Sequence, residues 1–263
     1  MSLYKSTLKS LLYHLRYHLS PEAFRSRKNL KELRGSCKGR KAVIMCNGPS
    51  LLETDFEALE QSGVVVIGLN KINLLFDKAT LRPDFIVAVN RHVIEQNAEF
   101  FNETEIPLFL SCQNHLKIKK VKPRPSVTHL MTNELGRGPQ EDITWAIHEG
   151  STVTTPAMQL ALHLGCSEIA LIGCDHNFAT KGEPNKAVTA EKEDPNHFDP
   201  NYFSGGVTWQ LPDLLGSEVS YMRVLRLAES IRVKIWNCTP EGELKLFEKR
   251  SLESYLLKIE KSH

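Results

Sequence analysis

The feature that most constrains the fold is a set of short apolar runs that do not alternate with polar residues. A-V-I-M-C at 42–46, V-V-V-I-G-L at 64–69, D-F-I-V-A-V at 84–89 and E-I-A-L-I-G-C at 168–174 are apolar nearly throughout. Strands of this kind have helices over both faces, which is the situation of a parallel sheet. Further candidate strands lie at 107–111, 127–131 and 233–237, and helical stretches near 54–61, 92–101, 155–165 and 217–231 alternate with them. The alternation predicts an α/β protein with a Rossmann-like, doubly wound, mostly parallel sheet.

The length, 263 residues, suits one large domain with an appendage. The expected division is a helical extension over 1–38 and a Rossmann-like domain over 39–263. Within that domain, 176–216 shows no clear period but holds His197, Phe198, Tyr202, Phe203 and Trp209. A stretch of that length and content reads as an ordered or ligand-ordered lid. The net charge of +2 argues against a general nucleic-acid binder. Six cysteines (37, 46, 112, 166, 174, 238) form no C-x-x-C pair, so buried free thiols in a reducing cytosol are expected. No apolar stretch approaches the ~20 residues that span a bilayer. Lys5, Lys9, His14 and Arg16 interrupt any secretory apolar core, which predicts a cytoplasmic protein.

Residues 1–35 read as helical. Leu8, Leu11, Leu12, Leu15 and Leu19 recur at helix spacing, with Tyr4, Tyr13, Tyr17, Lys5, Lys9 and Arg16 among them. Ser20-Pro21 suits a cap and the first position of a second helix. An arm packed on the domain, or on a second subunit in a homo-oligomer, is the leading expectation. Basic residues and aromatics beside leucines also suit an anionic membrane surface, with 1–20 at its inner face. The basic segment 113–126 reads as a solvated loop.

The densest chemical signal is K-A-V-I-M-C-N-G-P-S-L at 41–51: a strand, a polar turn (Asn47, Gly48, Pro49, Ser50) and a helix start capped by Thr54 or Asp55. Helix starts carry unpaired N–H groups that attract phosphate, and glycine lets backbone approach a ligand. The runs at 64–69 and 84–89 also end in asparagine, Asn70 and Asn90. In a parallel sheet these ends share one edge, where ligands bind. Ser151, Thr152, Val153 and Thr154 precede another helix start, and Gly173, Asp175 and His176 follow a fourth strand. These residues form the expected nucleotide site. Asp175 suits a metal–nucleotide, a ribose hydroxyl or the His176 ring. His197 in D-P-N-H-F is the candidate general base, since an imidazole near neutral pKa can take a proton from an attacking hydroxyl.

C-N-G-P-S-L, G-S-T-V-T-T-P-A-M-Q-L-A-L-H-L-G-C-S-E-I-A-L-I-G-C-D-H-N-F and N-H-F-D-P-N-Y-F together resemble the MptE-like family over roughly 41–240. That family is named for an archaeal 6-hydroxymethyl-dihydropterin diphosphokinase and is similar to the bacterial sialyltransferases of glycosyltransferase family 42. The sialyltransferase resemblance implies a CMP-sugar held by Asn47, Gly48, Ser50, Asn70, Asn90 and Ser151 to Thr154, with no essential metal. It implies a histidine base and phosphate-stabilising tyrosines in the lid. The base position of those enzymes corresponds to Asn201 here, and one tyrosine position to Asn177, so His197 and Tyr202 are the candidates to replace them. The diphosphokinase resemblance instead implies ATP, a pterin, and Mg²⁺ facing Asp175. The expected function is a nucleotide-dependent transferase, with a glycosyltransferase of surface glycans ahead of the diphosphokinase and of a non-catalytic nucleotide- or glycan-binding protein. The partners implied are a nucleotide-sugar donor and a glycan or lipid-linked acceptor.

Overall fold

The computed structural model describes residues 2–132, 138–179, 182–190 and 193–257, with side chains from residue 10 onward. The side chains of Tyr4, Lys5, Leu8 and Lys9, and lid positions 180, 181, 191 and 192, lie outside the described residues. The chain opens with α1 (Ser2–His18) and α2 (Pro21–Leu33), then enters β1 (Lys41–Met45). A 3-10 turn at Pro49–Glu53 leads to α3 (Phe56–Gln61) and β2 (Val65–Leu69). There follow β3 (Phe85–Ala88), α4 (Arg91–Gln96), α5 (Ala98–Glu103), β4 (Leu108–Ser111) and β5 (Val127–Leu130). After α6 (Thr154–His163) and β6 (Glu168–Ile172) comes a small antiparallel pair, β7 (Ala187–Thr189) with β8 (Thr208–Gln210). The chain then runs through α7 (Leu214–Ser230), β9 (Lys234–Asn237), β10 (Glu248–Lys249) and α8 (Leu252–Leu256).

Eight strands form one sheet in the order β10-β9-β6-β1-β2-β3-β4-β5, and every neighbouring pair is parallel. Side chains of β1 divide between two cores: Ala42 and Ile44 face the layer of α6 and α7, while Val43 and Met45 face the other. That two-sided burial is why these strands read as unbroken apolar runs. Each buried Val, Ile or Leu contributes about 1.5–3 kcal/mol. Leu59 of α3, Phe101 of α5 and Tyr255 of α8 fill the second core.

The caps follow the sequence. Ser20 Oγ accepts from Ala23 N at 3.2 Å, and the Asp55 carboxylate accepts from Ala58 N at 2.9 Å. The 92–101 helix divides at Asn97, which ends α4 and begins α5. Segment 113–126 differs from a plain solvated loop. Asn114–Ile118 forms one wide helical turn whose Asn114, Leu116 and Ile118 are buried, while Lys117, Lys119, Lys120 and Lys122 stay exposed.

The N-terminal helices are fixed to β5 by buried polar contacts. Tyr17 Oη donates to the His129 carbonyl at 2.6 Å, and His129 N donates to Ser26 Oγ at 2.9 Å. Burial pushes the His129 imidazole down to about 3, with His115 and Arg25 adding to the effect. The folded protein therefore keeps this ring neutral where the unfolded chain, near its ordinary 6.5, takes a proton. Stability contributed by the neutral ring is complete above about pH 6.5 and falls with acidification by up to roughly 1.4 kcal/mol per pH unit. Urea unfolding at pH 7.5 and pH 5 should show a smaller acid loss in His129→Gln than in the parent. Equal losses would contradict this assignment.

Candidate functional site

The chain winds outward from β1 through β2 to β5 on one side, and from β6 through β9 to β10 on the other. The crevice at the carboxyl ends of β1 and β6 is thus the topological switch point, where open parallel sheets bind ligands. A cavity of about 340 Å³ lies there. Asn47, Gly48, Asn70, Asn90, Ser151 to Thr154, Gly173, Asp175, His176, His197 and Tyr202 all border it. Of the residues expected from the sequence, only Pro49 and Ser50 do not. Ser50 sits one step behind, its hydroxyl donating to Asp175 Oδ2 at 2.9 Å.

The floor is built from two crossing turns. Gly48 N donates to the Gly173 carbonyl at 2.9 Å, which ties the end of β1 to the end of β6. A Cβ on Gly48 would overlap the Asp175 carboxylate and lie 2.7 Å from the Gly173 oxygen. Gly173 itself has φ 61, the left-handed region that favours glycine. Neighbouring Cys174 and burial push the Cys46 thiol up, so this floor thiol stays protonated.

The three strand-end asparagines have separate tasks. Asn47 Nδ2 donates to the Leu69 carbonyl at 3.2 Å, leaving its buried Oδ1 without a partner. Asn70 takes a left-handed φ of 52, which its short polar side chain tolerates, and its buried Oδ1 is also unpartnered. Asn90 is committed to the fold: its oxygen caps α4 through His92 N at 2.9 Å, and its amide donates to Gln210. Buried polar atoms without partners beside a polar cavity call for a ligand or ordered water to complete them.

Opposite the floor, α6 begins at Thr154; Thr155 N donates to the Thr152 carbonyl at 3.1 Å, and Pro156 carries no N–H. Thr152 Oγ1 accepts from Thr154 N, and Ser151 Oγ donates weakly to Asp213 at 3.5 Å. Among the described residues that line the cavity there is no lysine or arginine; its carboxylates are Glu149 and Asp175. His176, with φ 53, turns its ring to Glu218 at 3.1 Å.

The far wall is the segment read as a lid. Phe198, Tyr202, Phe203, Trp209 and Leu211 are all buried in the second core, and the described part of the segment carries β7 and β8. Phe198 N donates to the Asn47 carbonyl at 2.9 Å, and Lys78 pairs with Asp199 at 2.7 Å. His197 stacks on Tyr202 with ring centroids 4.0 Å apart and no tilt, and its Nδ1 lies 2.7 Å from Asp194 Oδ2. Burial raises the Tyr202 phenol well above its ordinary value, opposed by the Lys71 backbone and the Asn70 side chain. The phenol therefore stays protonated.

Sequence reasoning missed Asp194 and Lys71. Asp194 stands three residues before His197 within D-P-N-H, a spacing that allows the contact but does not require it. Lys71 follows Asn70 directly. Its ammonium donates to the Tyr202 carbonyl at 2.7 Å and lies 4.9 Å from the Phe203 ring. Burial lowers its pKa to about 8 against the opposing pull of Asp194.

These features define a doubly wound parallel α/β protein with a polar cavity at its switch point. A family model described as 6-hydroxymethylpterin diphosphokinase MptE-like matches residues 18–181, and the chain belongs to this MptE-like family. The match takes in α2, which the motif resemblance over 41–240 left outside, and ends before Asp194 and His197. A solved structure, the MAf glycosyltransferase from Magnetospirillum magneticum AMB-1, shares the fold with a TM-score of 0.50 at 19% identity. The alignment covers 92% of this chain but 40% of that one. No curated protein matches the chain.

Proposed function

We propose that the protein is a nucleotide-dependent transferase that moves a sugar from a CMP-linked donor to a hydroxyl of a glycan or lipid-linked acceptor. The observation that carries this reading is the Asp194–His197 pair in the wall of a cavity that also contains a helix N-terminus. The carboxylate fixes the Nδ1–H tautomer and leaves Nε2 as the base. The acceptor hydroxyl gives its proton to Nε2 as its oxygen bonds the sugar carbon, and the bond from that carbon to the phosphate oxygen breaks. CMP leaves with that bond's electron pair. The hydroxyls of the Ser151–Thr154 turn, with the positive end of the α6 dipole behind them, take up the charge developing on the phosphate. Tyr202, held protonated by burial, is a further donor within this wall.

Among the described lining residues, the lack of lysine and arginine favours CMP over ATP. A sugar-linked monophosphate carries one charge, which neutral donors can hold, whereas a triphosphate in a cavity with two carboxylates needs added cation. The family's name keeps the diphosphokinase as the second reading. Ser50 engages only one oxygen of Asp175, so this carboxylate together with phosphate oxygens would hold Mg²⁺. The ion would supply charge neutralisation of the phosphates, and His197 would again take the acceptor proton.

Thermal melts with CMP, UMP, AMP and ATP, each with and without Mg²⁺, test the reading. CMP alone should stabilise the fold by about 2.7 kcal/mol at a hundredfold excess over Kd. Stabilisation by ATP only with Mg²⁺ would transfer the assignment to the diphosphokinase, and no response to any nucleotide would overturn both. Asn47→Ala should weaken CMP binding by about 1–3 kcal/mol, the scale of a lost buried hydrogen bond. The substitution also removes the Nδ2 bond to the Leu69 carbonyl, so urea unfolding of the ligand-free variant is measured alongside to separate stability from affinity. Unchanged affinity by calorimetry would remove Asn47 from the site.

A further inference from the structure

Tyr13 and Tyr17 of α1 lie on the side opposite Leu11, Leu12 and Leu15. Tyr17 is buried against β5, and Tyr13 Oη lies 3.3 Å from Cys112 Sγ. Leu11, Leu12 and Leu15, with Leu19 just beyond the helix, fall within an arc of about 100° on the other side. Their exposures run from 53% for Leu15 to 67% for Leu19. Two large rings extend the apolar face. Phe24 and Trp145 are 59% and 60% exposed, with the Arg27 guanidinium 4.6 and 4.8 Å from their ring centres. Single exposed leucines are ordinary, but a row of them ending in an exposed Trp marks a docking surface.

Charge identifies what docks. Residues 1–40 contain ten Lys or Arg and two Asp or Glu, a net +8; the remainder of the chain contains 23 and 29, a net −6. Helix α1 carries no acidic residue at all. Arg16, Lys28 and Lys31 around this face are exposed. A second copy docking by the same face would oppose like charges at close range. An anionic phospholipid surface accepts both halves of the pattern: leucines and rings enter the acyl boundary while the cations meet headgroup phosphates.

We propose that the α1–α2 face docks the protein peripherally on a bilayer of anionic phospholipid. Among the described residues no helix is long and apolar enough to cross a membrane, so the contact is interfacial. Co-sedimentation of the full chain with vesicles of phosphatidylcholine, pure or mixed with phosphatidylglycerol, tests it. Binding to the mixed vesicles should exceed binding to the neutral ones by about tenfold or more and should weaken as salt screens the charges. The variant L11S/L15S/L19S should lose about tenfold in vesicle binding while keeping the parental melting point, because these side chains are exposed. Equal binding to both vesicle types, full binding by the variant, or a concentration-dependent dimer with no vesicle binding would each overturn the proposal. The outcome does not depend on which nucleotide the cavity accepts.

Discussion

His197→Ala should lower the rate of transfer about 10²–10⁴-fold, the range for removing a positioned general base, with CMP affinity left within about twofold of the parent. The expectation rests on geometry. The ring is stacked on Tyr202 at 4.0 Å, meets Phe203 perpendicularly at 5.2 Å, and is held in rotation by the Asp194 contact. Such packing removes orientational freedom that would otherwise weaken a base. Asp194→Asn should give a smaller loss in kcat, since the ring stays stacked while its tautomer is no longer fixed. A His197→Ala enzyme with unaltered kcat would remove this residue from the chemistry. Binding of CMP with no turnover in either form would instead identify a nucleotide-binding protein without transferase activity.

Gly48→Ala should reduce nucleotide affinity at least about tenfold, equivalent to about 1.4 kcal/mol. The added methyl meets two groups at once. The Asp175 carboxylate can swing away only by giving up its bond from Ser50, and the Gly173 carbonyl belongs to the backbone at the end of β6. The turn must then shift, at a stability cost of about 1–3 kcal/mol typical of overpacking. Gly138→Ala is the matched control, because a Cβ there meets nothing within 4 Å and its φ is not in the left-handed region. Calorimetric titration with CMP and urea unfolding of both variants separate the two effects. Parental affinity in Gly48→Ala would show that the ligand does not approach this turn.

Much of the architecture was legible in the chain because its signals are local. A strand buried on both faces must be apolar throughout, and β1, β2, β3 and β6 are. Ser20 and Asp55 announce helix starts because capping is a contact between residues three apart. The shared edge of Asn47, Asn70, Asn90 and Asp175 followed from parallel strands alone. Short elements escaped for the opposite reason: β7, β8 and β10 hold three, three and two residues, too few for any period to register.

The leucines of α1 show where local reading stops. Their spacing specified a helix and an apolar stripe, but a stripe carries no record of which way it faces. Contacts of Tyr13 and Tyr17 with residues about a hundred positions away set the rotation of α1 and turned the leucines outward. The cavity wall is similar. D-P-N-H held both members of the dyad, yet only packing of Phe198, Tyr202 and Phe203 into the second core brought His197 to the cavity with Asp194 behind it. The sequence by itself determined the parallel sheet, its binding edge and most of the polar residues along that edge, because backbone periodicity and strand direction are local properties. Tertiary structure alone decided which asparagine oxygens stay unpartnered, which carboxylate orients the histidine and which face of α1 meets solvent. Each of those depends on side chains far apart in sequence competing for the same partners and the same buried space.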